Sequence, residues 1–279
     1  MTFNEPLGPV EGVMFDVDGT LLLSDRSLGG YEVLPGAVDL LNRLERDGVP
    51  FLALTNGSAY PGPEQAAKLR AIGLPIADDR MFTPNSVAAH VFKARGIGRV
   101  LVLGNDGVVR ALRALGISAL RVGEPGADAV EAVYAAWHPE CSMADIHAAC
   151  EAVLGGAALF TASDVPFFAS KAGRAFGYSC AIVGAIHRVT GVEAEVTGKP
   201  SLHALEFVAA ELGVLRTRVA VIGDDPRVEI EMARAGGAIG VGVTSGTTTA
   251  AQWAGQPPER RPHRVIAGLH EIDAAGLGI

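Results

Sequence analysis

The chain has 279 residues, 49% hydrophobic and 19% charged, enough to bury one large core or two of ordinary size. Its 23 basic and 31 acidic residues give a net charge of −8, and no basic run occurs, which argues against nucleic acid or an anionic membrane surface as a partner. No apolar run approaches membrane-spanning length, and residues 1–12 show no signal-peptide pattern. The three cysteines form no CxxC pair and are expected to be reduced packing thiols, so a cytoplasmic location is predicted.

Strand and helix patterns alternate over the first third of the chain. An apolar strand ends at Phe15 and runs into Asp16-Val17-Asp18-Gly19-Thr20. A second strand, Phe51 to Leu54, ends at Thr55-Asn56-Gly57-Ser58. Helical periodicity is found from Leu34-Pro35-Gly36 to Asp47-Gly48, from Glu64 to Ile72 and from Ser86 to Arg95. This alternation favours an α/β protein with a mostly parallel sheet.

The alternation restarts at Arg99, which indicates a second module inserted in the first. Strands are predicted over residues 100–103, 129–137 and 157–161, with helices ending at Leu115 and spanning 144–154 and 178–190. No sequence repeat of fixed period and no low-complexity linker marks the joins.

The first pattern resumes at Thr197-Gly198-Lys199-Pro200. Because proline suits the first position of a helix, Lys199 is expected at the amino end of the helix that follows. A strand over residues 218–222 ends at Gly223-Asp224-Asp225, and the last clear strand covers 238–243. Between them a helix starts at Glu229, and its charged residues up to Arg234 are interpreted as a solvated face.

Four polar clusters follow predicted element ends. They are Asp16 with Asp18, Thr55 with Asn56, Lys199, and Asp224 with Asp225. Because parallel strands present their carboxyl ends at one edge, these clusters converge if their segments share a sheet. Carboxylate oxygens suit Mg²⁺, which also holds substrate phosphate, and no His or Cys cluster has zinc spacing. The alternative for the first cluster is a solvated acidic turn, since burial of an unpaired charge is costly.

In order, the four segments resemble the four motifs of the haloacid dehalogenase superfamily of phosphatases. Their spacing is similar to that of subfamily IIA, whose members include 4-nitrophenyl phosphatases, pyridoxal phosphatase and phosphoglycolate phosphatase. The resemblance covers nearly the whole chain. It implies a doubly wound, mostly parallel, Rossmann-like core sheet in residues 1–96 and 195–279, with an inserted α/β cap domain in residues 97–194.

The resemblance also implies the activity, which is Mg²⁺-dependent hydrolysis of a small soluble phosphate through an aspartyl-phosphate. Asp16 would be the nucleophile and Asp18 the general acid and then base. Thr55 would bind the transferring phosphoryl group, and Lys199 would offset charge on the nucleophile and the phosphate.

Further roles follow from the same resemblance. The metal ligands would be Asp16, the backbone carbonyl of Asp18, and Asp224. Asn56, Gly57 and Lys199 would bind substrate. Asp225 would act through water or orient Lys199, and Glu229 would be an outer partner at a position where family members often carry Asp.

The cap departs from the family at Trp137-His138 and over residues 163–168, so an unusual substrate preference is expected. Two alternatives stay open at this point. One is a non-catalytic protein that binds phosphate ligands or partners, and the other is phosphoryl transfer to an acceptor alcohol. The resemblance further implies a dimer formed through the cap.

Overall fold

The computed structural model describes residues 7–25, 30–170 and 173–275. The strands of this part of the chain are β1 (Gly12–Phe15), β2 (Leu22–Asp25), β3 (Gly30–Val33), β4 (Phe51–Leu54), β5 (Met81–Phe82), β6 (Arg99–Leu103), β7 (Ser118–Leu120), β8 (Ala132–Ala135), β9 (Ala158–Thr161), β10 (Phe167–Ser170), β11 (Gly173–Phe176), β12 (Glu195–Val196), β13 (Val219–Gly223), β14 (Ile239–Val243) and β15 (Arg264–Ile266).

The α-helices of the described chain are α1 (Ala37–Asp47), α2 (Gly62–Ala71), α3 (Pro84–Ala94), α4 (Asp106–Ala114), α5 (Met143–Leu154), α6 (Tyr178–Thr190), α7 (Leu202–Leu212), α8 (Glu231–Gly236) and α9 (Ala250–Ala254). A π-helical segment, Pro226–Ile230, precedes α8. Of these helices, even the longest, α6 with 13 residues, is too short to cross a membrane.

A larger sheet of six parallel strands has the order β15-β14-β13-β1-β4-β5. Successive residues of β1 point to opposite faces, as the pleat requires. Met14 lies in one hydrophobic core, with residues of α3 and α7, whereas Val13 and Phe15 lie in another, with residues of α1 and α2. Burial on both faces explains why this strand is continuously apolar, and it confirms the predicted doubly wound α/β fold.

A smaller sheet of five parallel strands has the order β12-β9-β8-β6-β7. Helices α5 and α6 cover one face. Helix α3 packs between the two sheets. Its Phe92 ring lies edge-on to the rings of Tyr134 and Phe160 in the smaller sheet, with centroids 5.9 and 5.1 Å away. The inserted module therefore shares one hydrophobic core with the larger sheet.

Three features differ from the sequence-based expectation. The antiparallel hairpins β2–β3 and β10–β11 were not expected. Strand β12 pairs with β9, so the smaller sheet extends past the predicted boundary at residue 194. Helix α7 begins at Leu202 and is capped by Ser201, whose hydroxyl accepts a hydrogen bond from the Ala204 N–H at 3.2 Å, so the predicted helix start at Pro200 is wrong.

Candidate active site

Three neighbouring strands of the larger sheet end in the predicted polar residues. Asp16 follows β1, Thr55 follows β4, and Asp224 follows β13, and β1 lies between the other two strands. The sheet continues one residue beyond the strands at two of these places. The Asp16 N–H donates to the Ile222 carbonyl at 2.9 Å, and the Thr55 N–H donates to the Phe82 carbonyl at 3.2 Å. Regular backbone therefore holds these side chains at one edge.

Lys199 lies at the centre of this edge and is 1% exposed. Its ammonium Nζ lies 2.5 Å from Asp16 Oδ1 and 2.7 Å from Glu229 Oε1. Burial by itself would lower the lysine pKa, but the charges of Asp16 and Glu229 outweigh burial, and the pKa is raised. Lys199 is therefore a fixed cation. Asp16 is 7% exposed and paired with it, so the alternative of a solvated acidic turn is wrong.

Glu229 is buried, with 2% of its surface exposed, so its interpretation as part of a solvated helix face is wrong. Its pKa is raised because the carboxyl is buried; Lys199 opposes this shift, whereas the charges of Asp16 and Asp224 add to it. The Asp225 N–H donates to Glu229 Oε2 at 3.3 Å, and Asp225 Oδ1 accepts from the Arg227 N–H at 2.7 Å. Asp225 thus caps the π-helical segment, and Glu229 is the second acid, after Asp16, that contacts the Lys199 ammonium.

The Asp224 carboxylate lies in a recess beside two glycines, where a larger residue would collide with it. A Cβ on Gly19 would lie 2.3 Å from Asp224 Oδ2, and one on Gly246 would lie 2.1 Å from the same oxygen. The N–H and hydroxyl of Thr247 donate to Oδ2 at 2.7 and 3.0 Å. Burial, then the charge of Asp16, raises the pKa of Asp224 to about 7, against these hydrogen bonds. Neither Thr247 nor Gly246 belongs to the four motifs, so neither was predicted to contact Asp224.

Asp18 lies in the turn that follows β1 and is partly buried. The turn is closed by the Gly19 N–H, which donates to the Leu22 carbonyl at 2.7 Å. Thr20 turns back toward the nucleophile candidate, and its hydroxyl donates to Asp16 Oδ2 at 3.3 Å. Asp16 therefore accepts one bond on each carboxylate oxygen, from Thr20 and from Lys199.

Both polar atoms of the Asn56 side chain form hydrogen bonds with the backbone of Lys199. Its Nδ2 donates to the Lys199 carbonyl at 2.8 Å, and its Oδ1 accepts from the Lys199 N–H at 2.9 Å. The Gly57 N–H, the donor that a phosphate contact would need, donates to Thr55 Oγ1 at 3.0 Å. A substrate contact through Asn56 or Gly57 stays a prediction, whereas a role of Asn56 in holding Lys199 was missed because nothing in the sequence pairs residues 143 positions apart.

The divergent cap residues reach the edge of the site. The Trp137 N–H donates to Ser58 Oγ at 3.0 Å. Beyond it, ligand atoms of His138, Cys141 and Asp145 lie within 4.8 Å of one another, a mixed group that the sequence spacing did not indicate. Asp145 caps the amino end of α5 through Ser142, and the positive end of a helix disfavours a cation, so this group does not compete with the acid-rich edge.

The fold and the edge define an α/β protein that gathers several carboxyl groups and a buried ammonium at the carboxyl ends of neighbouring parallel strands. The family model described as haloacid dehalogenase-like hydrolase matches residues 13–118, and a HAD-hydrolase-like model matches residues 196–272. Together they cover well over half of the chain. The chain belongs to the haloacid dehalogenase-like hydrolases, which confirms the resemblance seen in its four motifs.

Individual relatives agree with this assignment. Chronophin of Mus musculus is 29% identical over 233 residues, covering 80% of this chain and 77% of its own length. The structure of a glycerol phosphate phosphatase from Mycobacterium tuberculosis in complex with magnesium has a TM-score of 0.81 at 25% identity, with 94% of this chain and 76% of that one covered. That of a 4-nitrophenylphosphatase from Thermotoga maritima has a TM-score of 0.84 at 24% identity, covering 95% and 97%, and shows the shared fold.

Proposed function

We propose that the chain is a Mg²⁺-dependent phosphatase that hydrolyses monoesters of small metabolites through an aspartyl-phosphate. The observation that carries the proposal is the buried ammonium of Lys199 between Asp16 and Glu229, 2.5 and 2.7 Å away. A carboxylate whose charge is shared with a fixed cation can be approached by an anionic phosphate. The names of its relatives, which include a D-glycerol 3-phosphate phosphatase and a dihydroxyacetone phosphatase, support a small phosphorylated substrate.

The excess of negative charge at this edge of the sheet supports a bound cation as part of the site. The site residues carry five carboxyl groups (Asp16, Asp18, Asp224, Asp225 and Glu229) against the one ammonium of Lys199. Burial is the main cause of the raised pKa of Asp224, and the charge of Asp16, which disfavours a second carboxylate beside it, adds to the shift. A divalent cation with oxygen ligands removes that repulsion, so the donor set fits Mg²⁺.

Asp16, Asp224 and the backbone carbonyl of Asp18 would hold the ion. When bound, it would supply positive charge to the phosphate and to the carboxylates around it. Gly19 and Gly246 serve this arrangement, since a side chain at either position would occupy the space of the Asp224 carboxylate.

In the first step, a carboxylate oxygen of Asp16 attacks phosphorus, and the bond from phosphorus to the ester oxygen breaks. Asp18 gives its proton to the departing oxygen, which leaves as the alcohol. Water then attacks the aspartyl-phosphate, Asp18 takes a proton from it, and cleavage of the acyl phosphate P–O bond releases phosphate and restores Asp16. Thr20 and Lys199 hold one oxygen of Asp16 each and so fix the direction of attack.

Thr55 and Lys199 would stabilise the transferring phosphoryl group. The Thr55 oxygen already accepts a hydrogen bond from the Gly57 N–H, so its own O–H is directed elsewhere and can donate to a phosphoryl oxygen. Prearranged donors of this kind cost little reorganisation during the reaction.

The test is release of inorganic phosphate from 4-nitrophenyl phosphate and from a panel of phosphorylated metabolites, with Mg²⁺ and with a chelator. Wild type is expected to turn over at least one ester only when Mg²⁺ is present, and Asp16→Asn to turn over none. Equal rates for the two proteins would remove the proposed nucleophile. Product analysis with added glycerol as acceptor distinguishes hydrolysis from phosphoryl transfer.

Two further inferences accompany this function. We infer a dimer formed through the cap, and light scattering at working concentration that gives the mass of one chain would contradict it. A cytoplasmic location also stays a prediction, to be checked by fractionation of cells that express the chain.

A further inference from the structure

A line of buried polar groups connects the loop after β4 of the larger sheet with the end of β12 in the smaller sheet. The Asn85 side-chain amide Nδ2 donates to the Ser58 carbonyl at 2.9 Å, and Asn85 Oδ1 accepts from the Tyr134 hydroxyl at 3.1 Å. That hydroxyl lies 3.5 Å from Thr197 Oγ1. Asn85, Tyr134 and Thr197 are 0% exposed and Ser58 is 5% exposed.

Each end of this line meets a segment of the proposed site. Ser58 stands three residues after Thr55, and Thr197 stands two residues before Lys199. Asn56 joins the same two segments directly through its two hydrogen bonds to Lys199. The phosphate-side loop and the lysine segment are thus linked twice, once at the site and once through the interior.

The remaining bonds hold both ends in place. Ser58 Oγ accepts from the Trp137 N–H at 3.0 Å. The single proton of the Thr197 hydroxyl has three acceptors within reach, the Thr161 carbonyl at 3.1 Å, the Pro84 carbonyl at 3.3 Å and the Tyr134 oxygen at 3.5 Å. Buried polar groups that are fully hydrogen-bonded rigidify their surroundings, whereas a missing partner is costly. The ring of Tyr134 is packed edge-on to Phe92, so its hydroxyl cannot easily leave the line.

We propose that Tyr134 and Asn85, neither of which faces the substrate, are positioning residues that set the separation between the Thr55–Ser58 loop and Lys199. The proposal rests on the proposed function, because it assigns the two residues to the geometry of that site. A fixed separation favours the transition state, in which the phosphoryl group must meet the loop and the ammonium at the same time.

The test compares wild type with Tyr134→Phe, which removes only the hydroxyl and keeps the packed ring. We expect kcat for 4-nitrophenyl phosphate to fall about tenfold while KM changes less than twofold. Inhibition by orthovanadate, which mimics the pentacoordinate transition state, should weaken by about the same factor as kcat/KM. Inhibition by inorganic phosphate should change less than twofold.

Tyr178→Phe is the matched control. It makes the same chemical change on α6, the helix that covers the smaller sheet, and its kinetics should equal those of wild type. Unchanged kcat and vanadate inhibition in Tyr134→Phe would overturn the proposal. So would an equal loss of phosphate and vanadate inhibition, because that pattern indicates general disruption of the site.

Two complications have their own readouts. If Tyr134→Phe does not fold, Thr197→Val removes the hydroxyl at the other end of the line and keeps the branched shape of the side chain, and the same split between kcat and KM decides the matter. If wild type hydrolyses none of the esters tested, the proposed function fails. The positioning proposal is then tested by calorimetric measurement of orthovanadate binding in the presence of Mg²⁺. We expect orthovanadate to bind more weakly to Tyr134→Phe than to wild type, and equal binding would overturn the proposal.

Discussion

The substitution Asn56→Ala tests whether the Asn56 side chain binds substrate, as its motif implies, or holds the backbone of Lys199 in place. The structure places both polar atoms of the Asn56 amide on the backbone of Lys199, at 2.8 and 2.9 Å. Each such bond contributes about 0.5–1.5 kcal/mol, so the variant should lower the free energy of unfolding by about 1–3 kcal/mol. Freed from this clamp, the Lys199 ammonium shifts relative to Asp16, and a displacement of about 1 Å can reduce the rate about 100-fold.

The assays are urea unfolding followed by circular dichroism, and steady-state hydrolysis of 4-nitrophenyl phosphate with inorganic phosphate as inhibitor. A clamp predicts lower stability and lower kcat with a modest change in phosphate inhibition. Asn42→Ala, an exposed position on α1, is the control and should match wild type within about 0.5 kcal/mol. Wild-type stability and kcat combined with a raised KM and weak phosphate inhibition would refute the clamp and return Asn56 to the substrate.

Three other perturbations address the acid-rich edge. Lys199→Met leaves Asp16 and Glu229 buried without their cation, so urea titration should show a loss of about 3–5 kcal/mol and kinetics a loss of turnover; stability equal to wild type would contradict the charge pairing. Gly19→Ala places a methyl group 2.3 Å from Asp224 Oδ2 at a φ of +94°, so its melting temperature and its activation by Mg²⁺ should both fall, and an unaffected variant would show that the recess is wider than described. Mg²⁺ at 100 times its dissociation constant should add about 2.7 kcal/mol to the stability of wild type but much less to Asp224→Asn, and equal stabilisation of both would place the cation elsewhere.

The strand ends could be predicted because each is a local pattern. Phe51–Leu54 is an apolar run that stops at a polar turn, and the structure has β4 over those residues. The same holds for β1 and β13, whose neighbouring positions in the sheet bring Asp16 and Asp224 to one edge. Motif order then indicated the family, which the comparisons confirm.

The partners of these residues could not be predicted, because they depend on distant segments or on irregular backbone. The family resemblance made Glu229 an outer partner of the site, but it did not indicate Lys199 as its contact, and helical periodicity made Glu229 look like a surface acid. The π-helical turn at Pro226–Ile230 directs it inward to Lys199. The prediction for Pro200 failed for a related reason. A proline suits the first turn of a helix, yet the cap is Ser201, so the environment of Lys199 comes from acids rather than from a helix end.

The position of Lys199 also explains why an inserted module matters to chemistry at the edge of the other sheet. The backbone that leads to the lysine continues the smaller sheet, since the Thr197 N–H donates to the Thr161 carbonyl at 2.8 Å and the Gly198 N–H to the Ala162 carbonyl at 3.0 Å. The fit is close, because a Cβ on Gly198 would lie 2.3 Å from that second carbonyl oxygen. Strand β9 therefore sets where the ammonium meets Asp16, and a displacement of the smaller sheet would move the Lys199 ammonium away from its carboxylates.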